Sequence, residues 1–377
     1  MKKDTKLVQK EANALYDEIL QTGYEEPLAK TISDDMRSKG GYLFNKSHSF
    51  SYAVLCLQTA YLKAHYPLYF YKALFNLRKA DNGKLNKYIT DALNNNIQVL
   101  PPKINKSDAD FTVYNSKILF GLSSINGLGE TSVEPLIKER DVNGSFTSLD
   151  NLKSRINLSD AQLVALVKSG AIPCKSKYTL LEKYINDYIL DYKEYKPVTT
   201  VPQLAKLQMY GIDTDNIKDK VVRLDLYNKY REHEFKHKQQ ERNDKKVIEF
   251  KNKYMKDEEM WEFEALSIFL TYNPFKDLDK ELPLYDEVPN NSDVTIVGVI
   301  ANTVVKKNSK KQQYAFVTLC TAYGLVEVCC WAYMYARFNE IIKKGNRLAI
   351  LCNKQDDKYS VKDVKDYNRW KEDVGIA

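Results

Sequence analysis

No stretch of this sequence approaches the roughly 18 consecutive apolar residues that a membrane-spanning helix needs. Its opening, MKKDTKLVQKEANALYDEI, has no apolar block of the kind a secretion signal carries. A membrane partner and export are therefore not expected, and a cytoplasmic location is. The six cysteines, Cys56, Cys174, Cys320, Cys329, Cys330 and Cys352, form no C-x-x-C pair, which fits reduced thiols and argues against structural zinc. Histidine is scarce as well. Two of the four sit in His233-Glu234-Phe235-Lys236-His237, the H-E-x-x-H spacing of a zinc-protease helix. Such a helix needs apolar flanks and a third ligand. Here the flanks are Lys229-Tyr230-Arg231 and Lys238-Gln239-Gln240-Glu241-Arg242, a solvated face, so no metal is assigned.

What is present suits a globular chain. A length of 377 residues allows two or three domains, and 44% hydrophobic residues supply their cores. The net charge of +7 permits a polyanionic partner. Residues 1–39 read as helix, with Ala12, Leu15, Ile19 and Leu20 at helical spacing and Gly23 as a break. Ser33-Asp34-Asp35-Met36 reads as a polar loop or cap. From Gly40 a polar turn, Asn45-Lys46-Ser47-His48, leads into a helix that Pro67 stops. Val54, Leu57 and Tyr61 make one apolar stripe on it, while Tyr52, Cys56, Thr59 and Lys63 share another face. Two further helices are expected, at Tyr69–Arg78 and at about Lys84–Asn94.

Ile97 to Pro102 is extended and ends in a stiff Pro-Pro. Val113, Ile118 and Phe120 alternate around Asn115-Ser116 as a short hairpin. Asp108 and Asp110 offer paired carboxylates, but in a loop and not on the rigid support a two-metal centre needs. Ile125-Asn126-Gly127-Leu128-Gly129 before a helix has the form of a helix-hairpin-helix element. Its glycines let backbone N–H groups approach a phosphate, a contact blind to base sequence. Glu130 and Glu134 oppose that contact. Tyr178–Tyr195 reads as helical, and Lys218–Lys256, with 13 basic and 7 acidic residues, as one or two long solvated helices.

Strands are expected at Val294–Ile300, Tyr314–Leu319, Leu325–Trp331, Arg347–Leu351 and Tyr359–Lys362, with one helix near Tyr333–Ile342. That order describes an OB-fold, which binds single strands through a basic groove and stacked aromatics. Lys306, Lys307, Lys310 and Lys311 supply the base, and Tyr314 and Phe316 the rings, unless the rings are core residues and the lysines merely solubilise a hairpin tip.

The run Phe44-Asn45-Lys46-Ser47-His48, then Tyr52, then Gln58-Thr59-Ala60-Tyr61-Leu62-Lys63-Ala64-His65-Tyr66-Pro67 resembles the fingers motif of the C-family DNA polymerase III alpha subunit. Asn105, Ser107 and Phe111 reproduce that family's N-x-S-x-x-x-F pattern. Arg140, Phe146, Leu149 and Leu163–Ile172 follow in family order. Met260–Leu270 resembles its E-x-E-x-L-G-x-Y-L segment, with Asn273-Pro274 where the family has His-Pro. Residues 173–265 are least like the family.

The resemblance implies an α+β multidomain chain. It would comprise a helical fingers portion (1–100), a helix-hairpin-helix DNA-binding region (101–175), a charged helical linker (176–265) and a five-stranded OB-fold barrel with its lead-in (266–377). Asn45, Lys46, Ser47, His48, Tyr52 and Lys63 would face an incoming dNTP. Asn126, Gly127, Leu128 and Gly129, with the barrel residues above, would bind DNA, as primer-template and as single strand. A sliding-clamp peptide would fall at Gln203-Leu204-Ala205-Lys206-Leu207, although its aromatic end is lacking.

In the family three palm aspartates hold two Mg²⁺, and no counterpart occurs in this sequence, so no cofactor is expected on this chain alone. The expectation is the latter half of a polymerase, a natural frame beginning at Met1 and lacking the family's last domain. A palm-bearing half would meet an apolar patch on the first helix, including Leu15 and Ile19. The alternative is a non-catalytic DNA-binding protein derived from such a fragment. Richness in Lys, Asn, Ile and Tyr suits an AT-rich genome such as that of a phage.

Overall fold

The computed structural model describes residues 5–39, 46–213, 217–278, 282, 285–356 and 358–376. The chain divides into two compact units, Met1–Phe70 and Tyr71–Ala377. In the first, α1 (Thr5–Gln21) and α2 (Glu26–Lys39) form a hairpin that turns at Gly23, whose φ of +88° is easy only for glycine. Small residues at the contact, Ala12, Ala29 and Ser33, are fully buried and let the helices approach. Ser33-Asp34-Asp35-Met36 is thus not a loop but the interior of α2. Asp34 pairs with Arg37 at 2.6 Å and Asp35 with Lys39 at 2.7 Å, and these contacts one turn along hold cap-forming residues on the helix.

Next comes α3 (Lys46–His65), and Pro67 opens α4 (Pro67–Arg78) from the first position of a helix, where its missing N–H costs nothing. Phe44 and Asn45 lie outside the described residues. The stripe of Val54, Leu57 and Tyr61 is exposed, and so are Phe50, Leu55 and Leu62. On α1 and α2, Leu7, Leu20, Leu28 and Ile32 are exposed, whereas Leu15 and Ile19 are half-buried.

The second unit begins with α5 (Asn82–Asn94), whose cap Asp81 accepts from the Lys84 N–H. Strands β1 (Val99–Leu100), β2 (Thr112–Tyr114) and β3 (Lys117–Leu119) form a small sheet in the order β1-β3-β2, with β1 parallel to β3. Between β2 and β3, Asn115 and Ser116 have φ of 49° and 57°, as a two-residue type I′ turn requires. Phe75, Phe111 and Phe120 stack edge to face beneath it. The family-like Asn105 and Ser107 are structural. Asn105 exchanges two hydrogen bonds with the Phe146 backbone, and buried Ser107 accepts from the Lys103 N–H.

Four helices follow: α6 (Glu130–Asn143), α7 (Leu149–Arg155), α8 (Asp160–Lys168) and α9 (Lys177–Tyr184). The helix expected to reach Tyr195 ends at Tyr184, widens into a π-turn over Ile185–Ile189, and then runs extended. That extended chain and α10 (Leu204–Gln208) lie back along α11 (Lys220–Tyr254), a single helix of 35 residues and about 52 Å. Asn243 grips the Asp191 backbone, Asn228 grips that of Val198, and Tyr210 packs on Tyr227.

A short α12 (Trp261–Leu266) leads to a closed barrel of β4 (Asp293–Lys307), β5 (Gln313–Thr321), β6 (Gly324–Cys330), α13 (Ala332–Phe338), β7 (Arg347–Gln355) and β8 (Lys358–Asp366), with α14 (Tyr367–Val374) after it. The strand order β4-β5-β6-β8-β7, with a helix between the third and fourth strands, is that of an OB-fold. Val294, Ile296, Ala315, Val317, Leu348 and Ile350 fill its interior. The lead-in packs Phe263, Phe269 and Phe275 onto its outside at Val297, Val299 and Ala349. Gly298 sits where β4 and β5 crowd together, since a Cβ there would lie 2.5 Å from the Cys320 carbonyl oxygen. Among the described residues no helix is long and apolar enough to cross a membrane.

Candidate nucleic-acid interface

The hairpin Ile125–Gly129 links a 3-10 turn at Leu122–Ser124 to α6. Gly127 has φ +90° and is exposed, and Gly129 caps α6 with extended backbone and no side-chain cap. The two glycines therefore present backbone at a helix N-terminus, where N–H groups and the dipole favour an anion. Leu128 and Asn126, expected to contact DNA with them, point elsewhere. Leu128 is buried. The Asn126 amide donates to the Glu264 carbonyl at 2.8 Å and to Ser267 Oγ at 2.9 Å, while its backbone N–H donates to Ala265 O. Asn126 thus ties the hairpin to α12 and is a positioning residue, a role set by contacts about 140 positions away in the chain.

Glu130, at the first position of α6, is 70% exposed and pairs with Lys79 at 2.5 Å; Lys79 also reaches Asp110 at 2.6 Å. The hydrogen bond to Asp110, and then that to Glu130, raise the lysine above its ordinary pKa. The acidic residue facing the hairpin is in this way partly neutralised from the end of α4. Asp108 lies 3.6 Å from Arg140. Both candidate carboxylates are engaged by cations, and among the described residues no three His, Cys, Asp or Glu side chains gather as metal ligands. The described residues do not fit the Mg²⁺ pair of a polymerase centre. His233 and His237 are exposed on α11.

On the barrel, β5 alternates Ala315 and Val317 inward with Tyr314 and Phe316 outward, so the two aromatics are not core residues. Tyr314 pairs across the strands with Lys306, and Phe316 with Val304. Lys306 Nζ lies 4.8 Å from the Phe316 ring centroid. Lys307, Lys310 and Lys311 surround the hairpin tip, where the Asn308 side chain accepts from the Lys310 and Gln312 N–H groups.

Trp331 joins this face. It stacks on Tyr314 at 5.7 Å, is 54% exposed, and donates from Nε1 to Ser360 Oγ at 3.2 Å. Sequence reasoning missed it, although continuing the alternation of β6, with Val328 and Cys330 inward, would have placed it outward beside Tyr314. Beyond this aromatic row α5 borders the same sheet, and its Lys87 reaches Glu327 at 3.3 Å.

In the first unit, α3 begins at Lys46, and Ser47, His48 and Tyr52 are exposed near its start, with the His48 and Tyr52 rings 4.3 Å apart. Lys63 lies on the same face about four turns further along, roughly 22 Å from His48, and is not brought into that cluster. In the segment expected to meet a sliding clamp, Leu207 is fully buried beside Tyr210, which leaves Leu204 exposed.

Comparison with known proteins bears on all these features. The helix-hairpin-helix motif family matches residues 96–177. A DNA polymerase III subunit alpha from Chlamydia trachomatis is 27% identical over 365 residues, which is 93% of this chain and 28% of that protein. The same subunit from Deinococcus radiodurans is 34% identical over 215 residues, covering 56% of this chain and 16% of the relative. That of Thermus aquaticus is 39% identical over 155 residues, 40% of this chain and 13% of the relative.

The chain is a homologue of the bacterial DNA polymerase III alpha subunit. The part it matches is the C-terminal one, and the chain spans less than a third of the length of these relatives. It carries a helix-hairpin-helix motif and a closed OB-type barrel. Both lie in the second compact unit, joined through α12 and its continuation.

Proposed function

We propose that this chain supplies the fingers end and the DNA-binding regions of a replicative DNA polymerase, with the metal-holding carboxylates contributed by a palm outside these residues. The observation that carries the reading is continuous similarity to the alpha subunit over 93% of the chain. It runs through an exposed glycine hairpin at a helix N-terminus and a barrel with a basic tip. The hairpin would hold duplex primer-template by its backbone phosphates. The barrel would take the single strand through the four tip lysines and the outward rings. The N-terminus of α3, with Ser47, His48 and Tyr52, would face the dNTP, whose phosphates suit a basic helix start.

Any Mg²⁺ used for phosphoryl transfer would be held by the palm and not by these residues, while this chain would position DNA and nucleotide. The exposed apolar residues of α1, α2 and α3 offer the palm-bearing part a surface. A cytoplasmic setting follows from that role. Clamp binding through Gln203–Leu207 is not carried forward, because burial of Leu207 withholds its anchor.

The test is primer extension with Mg²⁺ and nucleotides, first with this chain alone and then with a palm-bearing polymerase segment added. No synthesis alone and synthesis on addition is the expected result. Extension by this chain alone would overturn the assignment of the carboxylates. DNA binding without any restored synthesis would favour a non-catalytic DNA-binding protein.

A further inference from the structure

We propose that Trp331 is the centre of a base-stacking subsite for unpaired nucleotides on the outer face of the barrel, extended by Tyr314 and Phe316 and edged by Lys306. The proposal rests on the single-strand reading of the barrel given above and adds the residue and the chemistry that hold the strand.

Three rings stand in one row. Trp331 and Tyr314 are nearly parallel, 5.7 Å apart with 26° between planes, and Tyr314 meets Phe316 edge to face at the same 5.7 Å. The hydrogen bond to Ser360 on β8 satisfies the indole N–H and fixes the ring, so little rotamer freedom remains to be lost when a base settles on it. Its position at the start of α13 puts it on the packed barrel and not on the hairpin tip. A fixed tryptophan that is still 54% exposed on such a surface is a platform awaiting a flat partner.

The surrounding charge selects nucleic acid over an apolar protein surface. Lys306 lies against Phe316, and Lys307, Lys310 and Lys311 continue the positive edge along the tip. Glu327, the acidic residue of β6, is paired with Lys87 of α5. The bases of a duplex are stacked on one another and cannot offer their faces to these rings. The subsite therefore discriminates single strand from duplex without reading sequence.

Trp331 also reports on itself, since the two other tryptophans, Trp261 and Trp370, are 0% and 8% exposed. The whole chain would be titrated with a short oligothymidylate and with an abasic oligonucleotide of equal length and charge, following tryptophan fluorescence and, independently, the anisotropy of a label on the DNA. The expected result is quenching by the thymidylate, about tenfold weaker thymidylate binding by W331A, and unchanged binding of the abasic strand. W331F should retain most of the affinity while losing the quench.

If W331A and the unsubstituted chain bind thymidylate equally, the stacking subsite is wrong while phosphate binding by the barrel stands. An equal loss by W331A and W331F together with a lowered melting temperature would mark Trp331 as structural and overturn the proposal. No binding of either strand at low salt would remove the single-strand reading itself.

Discussion

The side-chain amide of Asn126 donates to Ser267 Oγ at 2.9 Å, joining the glycine hairpin to the turn that ends α12. Ser267 is itself in the left-handed region, with φ of 60°, at the position where the E-x-E-x-L-G pattern of the family has glycine. Its carbonyl also accepts from buried Asn86 of α5 at 2.6 Å. One residue thus joins the hairpin, the helix bordering the barrel and the lead-in. Asn126→Ala should cost about 1 kcal/mol in denaturant unfolding, because two side-chain hydrogen bonds between the hairpin and α12 are lost. Ser267→Ala should be worse than Ser267→Gly, since both lose the hydroxyl but only glycine relieves the backbone. Equal effects of the two would show that the left-handed conformation carries no cost there.

Replacing Lys306, Lys307, Lys310 and Lys311 together by alanine should weaken single-strand binding and flatten its salt dependence. If each lysine neutralises one phosphate, the slope of log K against log salt should fall by about 3. The check is a titration at several salt concentrations. An unchanged slope would remove the tip from the interface.

Alanine at Lys46, His48, Tyr52 or Lys63 should lower nucleotide incorporation in a reconstituted polymerase while changing stability by less than about 0.5 kcal/mol. His48 and Tyr52 are exposed, so their loss leaves no cavity. The spread along α3 adds an expectation: Lys63, about four turns from His48, should affect incorporation differently from the N-terminal three. A uniform drop in melting temperature across the four would instead point to a structural cap.

Stability should fall at acid pH. Hydrogen bonds from Arg155 and then Asn143 hold Glu139 below its ordinary pKa, and those from Lys183 and then Tyr188 do the same for Asp150. A carboxylate with a lower pKa in the folded state contributes stability above its unfolded value, near 4. It loses that contribution as pH drops through the folded value. Lys79 has the opposite sign: raised by Asp110 and Glu130, it contributes fully below the ordinary lysine value and loses that only as pH rises through its folded one. Thermal melts from pH 7 downward should show the acid loss. Glu139→Gln with Asp150→Asn should make that limb shallower, and an unaltered limb would assign the loss to other carboxylates.

Local pattern by itself determined most of the helices, the small hairpin and the barrel strands. Apolar spacing set the helices, Pro67 ended one and began the next, Asn115-Ser116 set the hairpin turn, and alternation set the barrel strands, because each depends on residues within one or two turns of each other. Ordered motifs along the chain likewise carried the resemblance to the polymerase alpha subunit. Tertiary structure decided what each face meets. Asn126 looks like a hairpin-tip residue until α12, about 140 positions later, takes its amide. Trp331 looks like the end of a strand until β5 and β8 place Tyr314 and Ser360 beside it. Leu207 looks available until Tyr210 and its neighbours on α11 enclose that turn. Ser33–Met36 reads as a loop until Arg37, Lys39 and the packing of α1 favour helix. The reason is the same each time. Periodicity records which way a side chain points, whereas its burial and hydrogen bonds are settled by segments far away in the chain, brought near only when the domain packs.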